Sequence, residues 1–141
     1  MSYVNQNDLS REIGPTDLAY LTGDVSGLVV NSDRVSHAIS SASALINSYL
    51  FGIYDVPFIL PVDEVIYQLS LDLTVSYLYE YEYRETFIPV PIIQRKLSAI
   101  KKLIQLQKGE IILLLNPRED SKKTILLNKD SIINENYLDD M

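Results

Sequence analysis

The acidic residues, a single histidine and a row of tyrosines are the side chains of this sequence that could do chemistry. The chain has no cysteine, which excludes disulfides, thiolate nucleophiles and thiolate metal sites. Its one histidine, His37, falls on the polar face of a helical segment and has no HExxH partner. We therefore interpret His37 as a solvated side chain rather than a catalytic base or a metal ligand.

A glycine-containing segment, residues 23–27 (Gly-Asp-Val-Ser-Gly), comes nearest to a functional loop. It is not a GxSxG nucleophile elbow, because Asp24 stands where the first glycine is needed. It is not an EF-hand calcium loop, because Leu28 occupies the fifth position and no glutamate closes the loop. The phosphate-binding patterns GxGxxG, GKS and GKT do not occur either. We predict no catalytic, cofactor-binding or metal-binding residue, and no cofactor.

Two acidic clusters have simpler explanations than acid–base catalysis, which needs carboxylates whose pKa values a pocket pushes apart. Asp63 and Glu64 suit the first turn of a helix, where negative charge is favourable. Glu80, Glu82 and Glu85 suit a solvated surface.

Asp72 has two open interpretations, because it lies inside an otherwise apolar segment. It can face solvent beside Gln68 and Ser76 on the polar face of a helix. Alternatively it is buried, and it then needs a cationic partner such as Arg84, Arg95 or a lysine, since an unpaired buried charge is costly.

The four tyrosines form a row that could stack nucleic-acid bases: Tyr77, Tyr79, Tyr81 and Tyr83. No basic residue is interleaved with them, so we predict that they pack in the core and at interfaces. The basic patch of Arg95-Lys96 and Lys101-Lys102 is expected to be a solvated helix face.

The formal net charge of -7 over 141 residues is unevenly spread. Residues 1–64 carry -6, residues 65–109 carry +2 and residues 110–141 carry -3. Strong DNA binding needs clustered lysine and arginine, so we do not expect it, whereas an acidic surface suits a protein that DNA slides past. No apolar run reaches the roughly 18–20 residues of a membrane span, and the first residues lack the features of a secretory signal. We expect no membrane association.

The clearest predicted helix has one apolar stripe with helical spacing: Val35, Ala38, Ile39, Ala42, Leu45, Ile46, Tyr49 and Leu50. Ser32 or Asp33 is expected to cap it, and we predict that it is the central helix of the fold. Two short helices precede it, over Asp8–Ile13 and from Thr16 or Asp17 to Leu21. The loop between them and the long helix is expected to bury residues 28–30 against the core.

Residues 68–77 alternate strictly between polar and apolar, which by itself favours a strand. The wider segment up to Glu82 also has helical spacing, and it lacks glycine and proline for about twenty residues, which is longer than most strands. We predict a helix here.

A third long helix is predicted over residues 91–108, with Gly109 after its end. Its predicted buried stripe is Ile93, Leu97, Ile100 and Ile104, with Leu103 beside them. Apolar residues at 111–115 and 124–127, separated by turn residues, predict a hairpin. The expected fold is thus mainly α, a compact bundle of three long helices plus short N-terminal helices, with a C-terminal β-hairpin or extended arm. Residues 1–110 form the helical domain, and residues 111–141 form the arm and a mobile tail, either part of that domain or an assembly element.

The order of short sequence blocks resembles the phage Mu-type structural protein family, which is often found in prophages. The blocks are Tyr3, Asp8-Leu9, Leu21-Thr22, Val35, Ala38-Ile39, Ala42-Ser43, Asn47-Ser48-Tyr49-Leu50, Tyr54, Val56-Pro57, Leu69, Asp72, Tyr77-Leu78-Tyr79 and Lys108-Gly109. Asn47 and Ile53 depart from the aspartate and arginine that the family usually has, which puts in doubt a salt bridge at that corner. Residues after 112 have no counterpart. The family is similar in plan to the small helical head-to-tail connector proteins of tailed phages.

The resemblance implies a structural subunit of the virion neck, assembled in the bacterial host cytoplasm, and not an enzyme. Its implied partners are other copies of the chain in a ring, the portal protein, and tail or stopper proteins, with DNA passing nearby without specific binding. We predict an assembly interface at the apolar residues Ile111, Leu113, Leu115, Ile125 and Leu127. A small non-catalytic regulatory or interaction protein of a mobile element is the alternative, and a small enzyme is a further one.

Overall fold

The computed structural model describes residues 2–83 and 87–113, which contain five α-helices and no β-strand. The helices are α1 (Gln6–Ile13), α2 (Pro15–Leu21), α3 (Ser32–Leu50), α4 (Glu64–Glu82) and α5 (Val90–Gln107). The prediction of a mainly α chain with three long and two short helices is confirmed. The predicted hairpin and tail beyond residue 113 lie outside the described residues.

Helices α1 and α3 begin slightly earlier than predicted because residues outside the predicted segments cap them. Helix α2 begins at Pro15 with no side-chain cap, not at Thr16 or Asp17 as predicted. At α1, the side chains of Asn5 and Asp8 each accept a hydrogen bond from the other residue's backbone N–H, which makes a capping box. At α3, the cap is Asn31 rather than Ser32 or Asp33, since its side-chain oxygen accepts from two backbone N–H groups of the first turn. Each cap satisfies amides that a helix start leaves without an internal partner.

The central helix is α4, not α3 as predicted, because α4 packs against all four other helices. Its buried positions run around most of its circumference: Ile66, Leu69, Ser70, Leu71, Leu73, Thr74, Val75, Ser76 and Leu78. A helix enclosed on most sides needs apolar or small residues on every face, and this requirement explains the alternation that favoured a strand. The prediction of a helix over residues 68–77 is confirmed.

Small hydroxyl residues make the enclosed position of α4 possible. Thr74 donates its hydroxyl to the carbonyl of Ser70 at 2.6 Å, and Ser76 donates to the carbonyl of Asp72 at 2.8 Å. These hydrogen bonds satisfy the hydroxyls of Thr74 and Ser76 within the helix itself, so these two can be buried against neighbouring helices. The hydroxyl of Ser70 is also buried and has no hydrogen-bond partner among the described residues.

Two clusters of buried side chains lie at the two ends of the bundle. One joins the second half of α3 to the first half of α4, the second half of α5 and the loop after α3. The other joins α1, α2 and the first half of α3 to the second half of α4. The predicted stripe of α3 lies in these clusters, with Leu45 and Tyr49 half-buried at the edge.

The predicted buried stripe of α5 is wrong for Ile93 and Leu97, whereas Ile100 and Ile104 are half-buried. The buried residues of α5 are Ala99, Leu103 and Leu106, whereas Ile93 and Leu97 are exposed. The helix has two apolar faces about 140° apart at 100° per residue, and spacing alone does not distinguish the face that meets α3 and α4 from the face that meets solvent.

Candidate functional site

Asp72 is half-buried and combines features of its two interpretations, because it lies beside Gln68 and also has a cationic partner. Arg95 donates from Nε to Oδ1 of Asp72 at 2.7 Å, and Gln68 donates to the same oxygen at 3.0 Å. A terminal nitrogen of Arg95 also lies 3.4 Å from a carboxylate oxygen of Glu12. Arg95 therefore links α1, α4 and α5, and the basic patch predicted as a solvated face is in part structural. Lys96 of the same patch donates to both carboxylate oxygens of Glu80, at 2.8 and 3.0 Å.

A groove of 480 Å³ lies between the first half of α3 and the second half of α4. Its lining includes the apolar Ala38 and Leu78 and the charged Asp33, Arg34 and Glu80. Arg34 is held there by two contacts: its Nη1 lies 3.6 Å from a carboxylate oxygen of Glu82, and its guanidinium lies 4.3 Å from the centre of the Tyr81 ring. Arg34 was not predicted as a functional residue. The only feature that could have suggested its pairing with Glu82 is the acidic end of α4, opposite which Arg34 lies.

The polar groups at the mouth of this groove are already engaged or exposed. His37 is exposed, as predicted, and Glu80 is bound by Lys96. Among residues 2–83 and 87–113, no group of three or more His, Cys, Asp or Glu side chains could hold a metal ion. The groove is mainly apolar, so its geometry suits an apolar side chain of a partner.

The tyrosine row divides between core and surface. Tyr77 and Tyr79 pack against the buried clusters, as predicted, and burial raises the pKa of Tyr79. The ring of Tyr79 stacks on that of Tyr83 with centroids 5.8 Å apart, while Tyr81 lies under Arg34. These rings are therefore engaged within the chain.

Of the predicted assembly residues, the structure describes Ile111 and Leu113; Leu115, Ile125 and Leu127 lie outside the described residues. Leu113 is buried, and its backbone N–H donates to the hydroxyl of Tyr54 at 3.0 Å. Ile111 packs half-buried against the same cluster. These two side chains fill the chain's own core, and the interface stays a prediction.

Leu113 reaches an aromatic corner formed by the loop after α3, residues 51–63, which we call the carboxyl-end loop. Tyr54 and Phe58 of this loop are buried, and the Tyr3 ring meets Phe58 edge-on with centroids 5.7 Å apart. The Tyr3 hydroxyl accepts from the backbone N–H of Phe58 at 2.9 Å and donates to Asn47. The family resemblance put a salt bridge at this corner in doubt. Asn47 has a neutral partner here, the Tyr3 hydroxyl. Burial raises the pKa values of Tyr3 and Tyr54.

The loop before α3, residues 22–31, which we call the amino-end loop, is held by the carboxylate of Asp24. This carboxylate accepts hydrogen bonds from the backbone N–H groups of Ser26, Leu28 and Val29, the last at 2.6 Å, and from the Ser26 hydroxyl. These hydrogen bonds lower the pKa of Asp24 to about 2.

The apolar side chains of the amino-end loop point outward. Val25 is 93% exposed, Leu28 84% and Val29 68%. The prediction that residues 28–30 are buried against the core is therefore wrong for Leu28 and Val29, because Asp24 binds their N–H groups and turns the backbone away from it. Val30 is half-buried.

A second exposed apolar surface lies on α5. Val90, Ile93 and Leu97, which we call the outer stripe, are each at least two-fifths exposed, and Leu97 reaches 61%. They recur at i, i+3 and i+7, so they share one helix face.

Comparisons with known proteins complete these observations. The sequence model of a family described as "Bacteriophage Mu, Gp36" matches residues 3–125. The expectation that residues after 112 have no counterpart in the family is therefore wrong for residues 113–125. No curated protein matches the chain. Among the described residues, no helix has the length and apolarity to cross a membrane.

Proposed function

The chain belongs to the bacteriophage Mu Gp36 family, and from this premise we propose that it is a structural subunit of the virion neck. In this proposal, copies of the chain form a ring below the portal protein and join the head to the tail or stopper proteins. The subunit performs no catalysis and binds no cofactor. DNA passes through or beside the ring without specific binding.

The observation that carries this proposal is that one small domain exposes several apolar surfaces, among them the amino-end loop and the outer stripe. The amino-end loop and the outer stripe belong to different elements and expose side chains that a monomer would bury. A ring needs two unlike surfaces on every subunit, because each contact in it is heterologous. Two such surfaces therefore support assembly better than they support an isolated monomer.

The charge of the chain is consistent with a position beside DNA. With a net charge of -7, the surface repels the phosphate backbone at long range, and strong adhesion would require clustered basic residues. The exposed Lys101 and Lys102 form one short basic region on α5 and no extended stripe among the described residues. A ring of such subunits would let DNA slide.

Light scattering of the purified chain, alone and after addition of the purified portal protein, tests the proposal. We expect either a ring-sized species or a stable complex with the portal. A monomer that remains monomeric with the portal present contradicts a connector role. Bovine serum albumin in place of the portal controls for nonspecific association through the exposed apolar surfaces.

A regulatory or interaction protein of a mobile element could use the groove beside Arg34 to hold an apolar side chain of its partner. The position of the coding gene distinguishes the two functions. A connector gene is expected among the head and tail genes, and a location among regulatory genes favours the alternative.

A further inference from the structure

We propose that the amino-end loop of one copy packs on the outer stripe of α5 of the next copy. This inference rests on the proposed ring, and it goes further by naming the two surfaces in contact. Both surfaces are apolar, both are exposed, and the occupant of the stripe is a second copy of this chain.

The amino-end loop is suited to insertion because its shape is fixed before contact. Asp24 binds three backbone N–H groups of the loop, and the Thr22 hydroxyl accepts from the N–H of Asn31 at 3.0 Å, which ties the two ends of the loop together. Gly27 has a φ of +70° and lies against the Tyr20 ring, where a Cβ would come within 2.8 Å of a ring carbon. A preformed loop loses little conformational entropy when it binds.

The outer stripe is suited to receive the amino-end loop because α5 packs into the core of its own chain through a different face. Ala99, Leu103 and Leu106 fill the buried face, so the stripe is a second apolar face of the same helix. Beside the stripe lies a depression of 130 Å³ lined by Ile88, Ile93 and Leu97 among others, which gives a branched side chain such as Leu28 a place to enter.

The two surfaces lie at the same height along the bundle. The start of α3 is level with the end of α4, since Arg34 meets Glu82. The start of α5 is level with the same region, since Lys96 meets Glu80 and Val90 lies further toward that end. Rotation about a ring axis parallel to the bundle keeps height constant, so it brings these two surfaces of neighbouring copies together.

Charge favours the same pairing. The loop belongs to the acidic part of the chain, residues 1–64 with net -6, and Asp33 stands exposed just beyond it. The stripe belongs to residues 65–109 with net +2, and Lys101 follows Leu97 one turn later on the same side of α5. Opposite charges around an apolar contact steer the copies into one orientation. The carboxyl-end loop also exposes Phe51, Ile59 and Leu60, but this loop follows the other end of α3 and does not meet the stripe under such a rotation.

Disulfide cross-linking tests the contact, and the chain is suited to it because it has no cysteine. A Leu28→Cys variant and a Leu97→Cys variant are purified, mixed at high concentration and oxidised mildly. We expect disulfide-linked heterodimers in the mixture, and a ladder of higher oligomers from the double variant. The matched control replaces Leu28→Cys by Ser40→Cys, an exposed position on the polar face of α3, and is expected to give no ladder.

Three results overturn the inference. The first is the absence of any cross-link between positions 28 and 97. The second is a dominant Leu97→Cys homodimer, which would mean that α5 pairs with α5. The third is an intramolecular cross-link between Leu127→Cys and Leu97→Cys, which would mean that the C-terminal residues of the same chain cover the stripe.

A Leu97→Asp variant gives a quantitative second test. Because Leu97 is exposed, the variant should keep its helical circular dichroism and its unfolding midpoint, while self-association weakens about tenfold or more. Unchanged self-association of Leu97→Asp contradicts the contact. Portal binding is measured separately. If the chain binds the portal but gives no 28–97 cross-link, the inference fails and the connector role stands. If the cross-link forms but the chain does not bind the portal, the contact stands and the connector role fails.

Discussion

The two loops that flank α3 are built from similar apolar residues but are held in opposite ways. The carboxyl-end loop buries Tyr54 and Phe58 and uses tyrosine hydroxyls to bind its backbone and that of Leu113. The amino-end loop buries little and is held by the exposed carboxylate of Asp24, with its apolar side chains in solvent. The carboxyl-end loop contributes buried aromatic side chains to the core and also exposes Phe51, Ile59 and Leu60, whereas Val25, Leu28 and Val29 of the amino-end loop are all exposed.

If the proposed contact between copies forms, the loop at one end of α3 contributes mainly to stability and the loop at the other end contributes mainly to assembly. Burial of aromatic side chains contributes several kcal/mol, whereas hydrogen bonds to a solvated carboxylate mainly fix a local shape. Changes in the carboxyl-end loop should therefore alter unfolding, and changes in the amino-end loop should alter contacts between copies.

The largest expected effect is that of Phe58→Ala. Phe58 is 1% exposed and packs against Tyr3 and Tyr54, so we expect a loss of about 3–5 kcal/mol in the free energy of unfolding, measured by urea denaturation. Phe51→Ala in the same loop is the control, since Phe51 is 76% exposed and should change stability by no more than about 0.5 kcal/mol. Equal losses for the two variants would contradict the division between buried and exposed parts of the loop.

Shortening the chain should give the next largest effect. A chain that ends at Leu113 keeps the side chain that fills the aromatic corner, whereas a chain that ends at Glu110 loses it, at a cost of about 2–5 kcal/mol in urea denaturation. The predicted domain boundary after residue 110 separates Leu113 from the core it fills. If both chains unfold at the same urea concentration, Leu113 contributes nothing to the corner.

A smaller effect is expected from Tyr54→Phe, which leaves the buried N–H of Leu113 without its acceptor and costs about 1–3 kcal/mol. The pH dependence follows from burial, which raises the pKa of Tyr54 above its ordinary value near 10. The neutral hydroxyl therefore stabilises the fold fully below about pH 10, and this stability is lost as the pH rises through the higher folded pKa. Urea denaturation from pH 8 upward should show a steeper alkaline decline for the unchanged chain than for Tyr54→Phe. Parallel curves would argue against a buried, neutral Tyr54.

The smallest effect on stability is expected from Asp24→Asn, because this carboxylate is solvated. The lowered pKa of about 2 means that its hydrogen bonds are complete above the ordinary aspartate pKa near 4 and are lost as the pH falls through about 2. We expect the amide resonances of Leu28 and Val29 to shift in acid in the unchanged chain and at all pH values in Asp24→Asn, with little change in melting temperature. A large fall in melting temperature would show that this loop stabilises the fold after all.

The positions of the helices can be predicted from the sequence, whereas the neighbours and the buried face of each helix are harder to predict. The stripe of α3 and the helical nature of residues 68–77 are readable because helical spacing is local. The enclosure of α4 is not, since it depends on four other elements meeting one helix. On α5, two apolar faces satisfy the same spacing, and only the packing against α3 and α4 selects Leu103 rather than Leu97 for burial.

The candidate site could likewise be predicted only where the signal is local in the sequence. The cationic partner of Asp72 could be restricted to a few residues by charge, and Arg95 is among them. The outward turn of Leu28 and Val29 could not be predicted, because an apolar run usually indicates burial and the role of Asp24 depends on loop geometry.

The aromatic corner marks one end of the helical bundle, so the two ends of the subunit can be distinguished. Tyr3 and Leu113, far apart in the chain, both end at the Tyr54–Phe58 pair, about 28 Å along α3 from the amino-end loop. In the proposed ring, a label attached near residue 2 and another attached at residue 113 would therefore mark the same rim, and the amino-end loops would mark the opposite rim. In an electron microscopy reconstruction, these two labels would reveal which rim faces the head.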